Sequence, residues 1–304
     1  MTHHLKATSI GIAAFATRDW QEKGYPLDLW LTHHAPLFDQ VSIVTYGDFP
    51  LPFEASNVKV TRMGAQIPRN SFKFFTLGMQ LALDALDTDW KILLSIDEFL
   101  ATKPDLRGLD ERYIYPLVLH QLFGGLDREF LWFERYWMYA EYKIIYRIFH
   151  SRNKFRIIGD GLVAPKRYWR LPLRLYAPRA VSYAAYLLSR RSRPEGWKLA
   201  AGPYYALVSA LQLGRPYAQF DVWHTTFLRP RQQFLIKLQQ QRPIHEAEGD
   251  TYAVRLIDRI VRGLQNGDFC SNPDKYLNGV YVAPVDRRLL PRILVTNEDR
   301  FRVC

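Results

Sequence analysis

Asp89-Trp90-Lys91-Ile92-Leu93-Leu94-Ser95-Ile96-Asp97-Glu98-Phe99-Leu100 is the stretch on which the fold turns. The near-continuous apolar run from Trp90 to Ile96 reads as a strand buried on both faces. It delivers two adjacent carboxylates, Asp97 and Glu98, to its end. A carboxylate there is costly to bury unless a cation or good hydrogen bonds meet it. A hard divalent ion accepts carboxylate oxygens and bridges phosphates. An ordinary strand-end turn with Glu98 in solvent fits the spacing equally well.

On the N-terminal side the chain alternates strand and helix. Thr8 to Thr17 is a continuous apolar strand. Pro26 opens a helix running to Phe38, with Leu27, Trp30, Leu31 and His34 on one face. Val41 to Tyr46 and Val58 to Arg62 are short strands, the first ending in Gly47-Asp48. Asn70 to Leu86 reads as a helix capped by Asn70 or Ser71, with Phe74, Leu77, Leu81 and Leu83 apolar. This order predicts an α/β fold: a mostly parallel mixed sheet with helices on both faces. Ligands bind beyond the carboxyl ends of such strands. Thr17-Arg18-Asp19, Gly47-Asp48 and Asp97-Glu98 all fall there.

Beyond Glu111 the pattern changes. Tyr113–Leu122 and Phe130–Met138 are aromatic-rich strands joined through Gly124-Gly125, and Lys143–Phe149 and Lys154–Ile158 are shorter ones. Phe220 to Phe227 is a strand carrying His224. Pro230–Gln241 and Thr251–Gln265 read as helices, and the tail from Val282 as basic and irregular. No repeat or linker divides the chain. Residues 1–241 are read as the main domain, and 242–304 as a helical extension and tail packed on it.

The chain has 304 residues, 41 Lys+Arg against 30 Asp+Glu and a formal net charge of +11. That field favours anionic partners without choosing among nucleotides, acidic glycans, membranes and nucleic acid. Two cysteines outside any CxxC pair imply neither a disulfide framework nor a zinc site. The opening Met-Thr-His-His-Leu-Lys does not read as a signal peptide. No run approaches the roughly 20 apolar residues of a membrane span. A cytoplasmic place, or one peripheral to a membrane, is the expectation.

The segment 89–100 resembles the "W-hhh-D-x-D-E-F" strand of GT-A glycosyltransferases, nearest to the family 2 and family 92 types. Tyr25-Pro26-Leu27-Asp28-Leu29-Trp30-Leu31 is similar to that family's "L-x-E-W-L" helix. Trp223-His224, followed by Arg229 and Lys237, is similar to its "H…R…K" strand and helix. The resemblance spans roughly residues 8 to 241. It implies a GT-A (Rossmann-like) fold and sugar transfer from a nucleotide-sugar donor to a glycan or lipid-linked acceptor, with inversion. It also implies a divalent metal, Mn2+ or Mg2+, held by Asp97, Glu98 and His224. Ser95 stands where the family carries its first Asp, and supplies a hydrogen bond without charge.

The same resemblance places Thr17, Arg18, Asp48 and Ser95 near the nucleotide and Lys237 and Arg229 near its diphosphate. Taken singly, these fit strand-end turns and solvated helix charges just as well. An inverting transferase needs a carboxylate base. Asp127, Glu129, Glu134 and Asp160 are candidates. Asp160, between Gly159 and Gly161 after a short strand, is preferred. The basic and aromatic stretch 166–193 has three readings: a membrane-facing surface, an acidic-glycan groove or a solvated helical face. Three other functional readings stand beside sugar transfer: nucleotidyl transfer, ranked low because the loop after the first strand has no glycine until Gly24, a degenerate nucleotide-binding relative without turnover, and a basic nucleic-acid-binding protein. Nucleic acid is the least favoured partner, because no signature motif accompanies the charge.

Overall fold

A computed structural model describes residues 8–64, 72–133, 140–141, 143–153, 156–158, 161–163, 221–277 and 280–301. Asp160 and the stretch 166–193 lie outside these residues. The fold is mixed α/β. β1 (Ile10–Thr17), β2 (Gln40–Tyr46), β3 (Val58–Met63) and β4 (Trp90–Leu93) form the parallel half of the main sheet, in the order β3-β2-β1-β4. Side chains of β1 alternate between faces. Ile12, Ala14 and Ala16 share a core with Leu27, Trp30 and Leu31 of α1 (Leu27–His34) and Leu294 of α6 (Arg292–Thr296). Ala13 and Phe15 join Phe74, Ala82 and Leu83 of α2 (Phe72–Asp84). Both faces of β1 are thereby covered, which is why its sequence is apolar throughout. At Gly78 a Cβ would stand 2.3 Å from the Phe15 ring, so only glycine lets α2 come this close.

The sheet is less parallel than the sequence predicts. β6 (Ile114–Phe123), β7 (Arg128–Phe133) and β9 (Lys143–His150) run on from β4 in the order β7-β6-β9-β4, every pair antiparallel. The turn between β6 and β7 is Gly124–Asp127, and a parallel crossover needs a dozen residues or more. The two-residue β8 (Ala140–Glu141) pairs with β7. β10 (Arg156–Ile158) and β11 (Gly161–Val163) form a separate two-stranded sheet.

β5 (Glu98–Leu100) pairs antiparallel with β12 (Asp221–Phe227), and β12 also runs parallel to β6. A third core gathers Phe123 and Phe227 with α3 (Arg231–Ala247), α4 (Thr251–Asn266) and α5 (Pro273–Leu277). The expected boundary after residue 241 falls inside α3. The tail is more ordered than its composition suggests: β13 (Val280–Pro284) joins β7 as an antiparallel strand, and Arg300 grips Asp28 of α1. Cys270 is disulfide-bonded, against the expectation of no disulfide; Cys304, the chain's other cysteine, lies outside the described residues. Two cysteines 34 positions apart with no motif carry no pairing signal in the sequence. No helix among the described residues is long and apolar enough to cross a membrane.

Candidate functional site

The strand predicted from Trp90 to Ile96 stops at Leu93, and a tight turn brings the chain into β5. The turn is closed twice. Glu98 N–H donates to Ser95 O at 3.0 Å, and Ser95 N–H donates to Glu98 Oε2 at 2.7 Å. That same Oε2 accepts from Arg147 of β9 at 2.5 Å, with both side chains 3% exposed. Glu98 therefore faces a buried guanidinium and its own turn. The Glu98 carboxylate is thus committed to Arg147 and the Ser95 N–H, although its charge still reaches Lys237 of the group around Asp97 described next.

Asp97 takes a different set of partners. Its Oδ2 lies 2.5 Å from Arg229 NH2, 3.3 Å from His224 Nε2 and 3.8 Å from Lys237 Nζ. Burial pushes the Asp97 carboxyl up, but His224, Arg229 and Lys237 together hold it well below the usual carboxylate range. Burial, then the charge of Arg229, brings Lys237 down to about 7 against the pull of Asp97. Lys237 Nζ also donates to Thr226 Oγ1. Arg229 lies over the Tyr25 ring at 3.7 Å, with Lys237 at 5.4 Å from the same ring. Its NH1 donates to Lys23 O at 3.3 Å. The buried Nε has no hydrogen-bond partner among the described residues.

His224 is oriented from behind. Its Nδ1–H donates to Gln121 Oε1 at 2.8 Å, which turns Nε2 toward Asp97 Oδ2. At 3.3 Å these two atoms require a proton or a cation between them. Asp97 Oδ1 accepts no hydrogen bond from a described residue. Asp97 and His224 thus offer one oxygen and one nitrogen donor. This suits a divalent ion that keeps water and phosphate oxygens for its other positions. No group of three or more His, Cys, Asp and Glu among the described residues could hold a metal. Of the three residues expected to hold a metal, Asp97 and His224 face each other, while the Glu98 carboxylate is taken by Arg147.

The loop after β1 approaches from the other side. Thr17 Oγ1 donates to Asp19 Oδ1 at 2.5 Å, and Asp19 pairs with Lys23 at 3.0 Å. Gly24, with φ of +66°, turns the chain into Tyr25 beneath Arg229. Arg18 is exposed and its stem lies against Gly47, so the loops after β1 and β2 touch. Asp48 forms an open surface pair with Arg62 at 3.2 Å, with 80% and 72% of the side chains exposed. Such pairs contribute little to stability.

Sequence reasoning did not single out Arg147, Gln121 or Tyr25 for these roles. The first two carried a signal: Arg147 inside Lys143–His150 and Gln121 inside Ile114–Phe123 are polar side chains in apolar strands, and such groups need partners. On the opposite face of β6, His120 lies between Glu129 at 2.8 Å and Asp221 at 3.3 Å. Burial lowers its pKa, but the two carboxylates outweigh that and raise it to about 10. Glu129, a sequence-level candidate for the base, is committed to this ion pair. Asp160, the preferred base, lies outside the described residues. No family model and no curated protein matches the chain.

Proposed function

We propose that the chain is a GT-A-type glycosyltransferase that moves a sugar from a nucleotide-sugar donor to a glycan or glycolipid acceptor by inverting displacement. One observation carries the reading. Beyond the strand-end edge where α/β sheets bind ligands, a buried Asp97 is surrounded by Arg229, Lys237 and His224 within 3.8 Å. A carboxylate that can share a cation, set among fixed positive groups, suits a departing nucleoside diphosphate. Arg229 and Lys237 bind and orient its phosphate oxygens. Gln121 keeps the His224 ring turned toward Asp97. Glu98 and Arg147 hold the turn that presents Asp97. A divalent ion at Asp97 and His224, when bound, supplies further neutralisation of the diphosphate. Asp160 is the acceptor base in this reading, on the sequence argument alone.

A second reading is a donor-binding relative without turnover. It is favoured by Ser95, which brings no charge, and by the existing cation partners of both Asp97 and Glu98. One experiment separates the two. The protein is screened for hydrolysis of nucleotide sugars with and without manganese, beside Asp97→Asn. Transfer predicts slow release of nucleoside diphosphate, lost in the variant. Binding without release supports the degenerate relative, and neither binding nor release removes both.

A further inference from the structure

Three basic groups converge on one oxygen of one carboxylate. Arg229 NH2, His224 Nε2 and Lys237 Nζ stand 2.5, 3.3 and 3.8 Å from Asp97 Oδ2. The other acid of the turn, Glu98, is matched by its own guanidinium, Arg147. Arg229 alone balances Asp97, and Lys237, brought down to about 7, adds positive charge in excess of Asp97 whenever it is protonated. The Arg229 Nε is buried without a hydrogen-bond acceptor among the described residues. Buried charge in excess of its counter-charge is costly, and an anion relieves it. The groups are also fixed in advance: Tyr25 lies beneath Arg229 and Thr226 accepts from Lys237. This is an anion site whose counter-ion at rest is part of the protein.

We propose that Asp97 is an exchangeable counter-ion, holding Arg229, Lys237 and His224 in the ligand-free protein and releasing them to an incoming diphosphate. The identity of that anion rests on the transferase reading; the exchange itself rests on the geometry around Asp97. A carboxylate in this place disfavours anions that arrive alone. An anion arriving with a cation that engages Asp97 would not meet that barrier. Asp97 then selects for cation-bound diphosphate over free phosphate.

The test uses the full chain in EDTA, with inorganic pyrophosphate as the probe in isothermal titration calorimetry. Asp97→Asn keeps the shape of the side chain and removes its charge. It should bind pyrophosphate about tenfold more tightly than the wild type, within the range usual for coupled sites. Lys237→Met in the same background should cancel most of the gain. Equal or weaker binding by Asp97→Asn overturns the exchange, because a residue that served only to hold metal would change nothing in EDTA.

If Asp97→Asn fails to fold, a crystal structure of the wild type with pyrophosphate decides. Pyrophosphate on Arg229 and Lys237 with the Arg229–Asp97 contact broken supports the exchange. An intact contact, or no pyrophosphate there, overturns it. The two ideas fail separately. Nucleoside diphosphates that bind no better than pyrophosphate remove the nucleotide donor and leave the exchange. A clear nucleotide preference with no gain in Asp97→Asn removes the exchange and leaves the donor.

Discussion

Replacing Glu98 by Gln separates two roles for that carboxylate, because they predict opposite signs. A metal ligand next to Asp97 would repel it in the metal-free protein, so losing its charge would stabilise the fold in EDTA. In the structure Glu98 is instead the carboxylate that meets Arg147 at 2.5 Å, with both side chains 3% exposed. At an effective dielectric of about 20 that separation gives an attraction of about 6–7 kcal/mol, offset by several kcal/mol of desolvation. The desolvation of Arg147 remains when the charge of Glu98 is removed. Breaking a buried pair from one side costs about 3–5 kcal/mol. One Gln carbonyl must also replace an oxygen that accepts from both Ser95 N and Arg147 NH1. Urea denaturation at pH 7 in EDTA should show Glu98→Gln less stable than wild type by about 3 kcal/mol or more. The double variant Glu98→Leu with Arg147→Met should regain most of the loss, since both charges leave together. A Glu98→Gln protein as stable as wild type, or more so, would refute the clamp.

Acid should weaken the fold through α1. Buried His34 takes the N–H of Leu100 on Nε2 and gives Nδ1–H to Trp30 O, so both nitrogens are committed as a neutral ring. Burial, then the neighbouring His33, holds its pKa well below 6.5. A group depressed in this way binds its proton first in the unfolded chain, so stability falls as pH drops below about 6.5. The loss between pH 7 and 5 should reach up to about 2 kcal/mol, and His34→Gln should flatten it; urea midpoints across that range measure both. Gly78→Ala sets a Cβ 2.3 Å from Phe15, whose ring is flanked by Phe74 at 5.2 Å and Phe75 at 6.0 Å. Overpacking of about 1–3 kcal/mol should exceed the roughly 1 kcal/mol gained in helix propensity, and a stabilised variant would show that α2 can lift away.

The parallel half of the fold was legible because burial on both faces writes itself into composition. Ile10–Thr17 is apolar nearly end to end and Gln40–Tyr46 is rich in β-branched residues, and the structure begins and ends them within two residues of the sequence reading. The antiparallel half was legible as strands but not as a sheet, since alternating aromatics do not say which neighbour a strand will choose. β13 shows why the tail was misread: its pairing to β7 lies in backbone hydrogen bonds, which composition does not record. The sequence reading named Asp97, His224, Arg229 and Lys237, and the structure brings these four together. Its division of labour was not, because Glu98 and Asp97 are identical in kind and adjacent in sequence. Arg147, 49 residues beyond Glu98, and Arg229, 132 beyond Asp97, give them different work.

That division depends on the register of one strand. β12 sets His224 opposite Glu98 on β5 and opposite Gln121 on β6, and its register shifts between His224 and Phe227. Thr225 ties the strand to the turn, donating N–H and Oγ1–H to Asp97 O at 2.9 and 3.1 Å. A slip of one residue would turn Trp223 or Thr225 toward Asp97 and send His224 to the other face. It would also carry Arg229 and the start of α3 out of reach. The convergence of charges therefore does not require a ligand to assemble it. Backbone hydrogen bonds to the Asp97 carbonyl fix where the carboxylate, the imidazole and the guanidinium meet. The ions they exchange change partners within a frame already set.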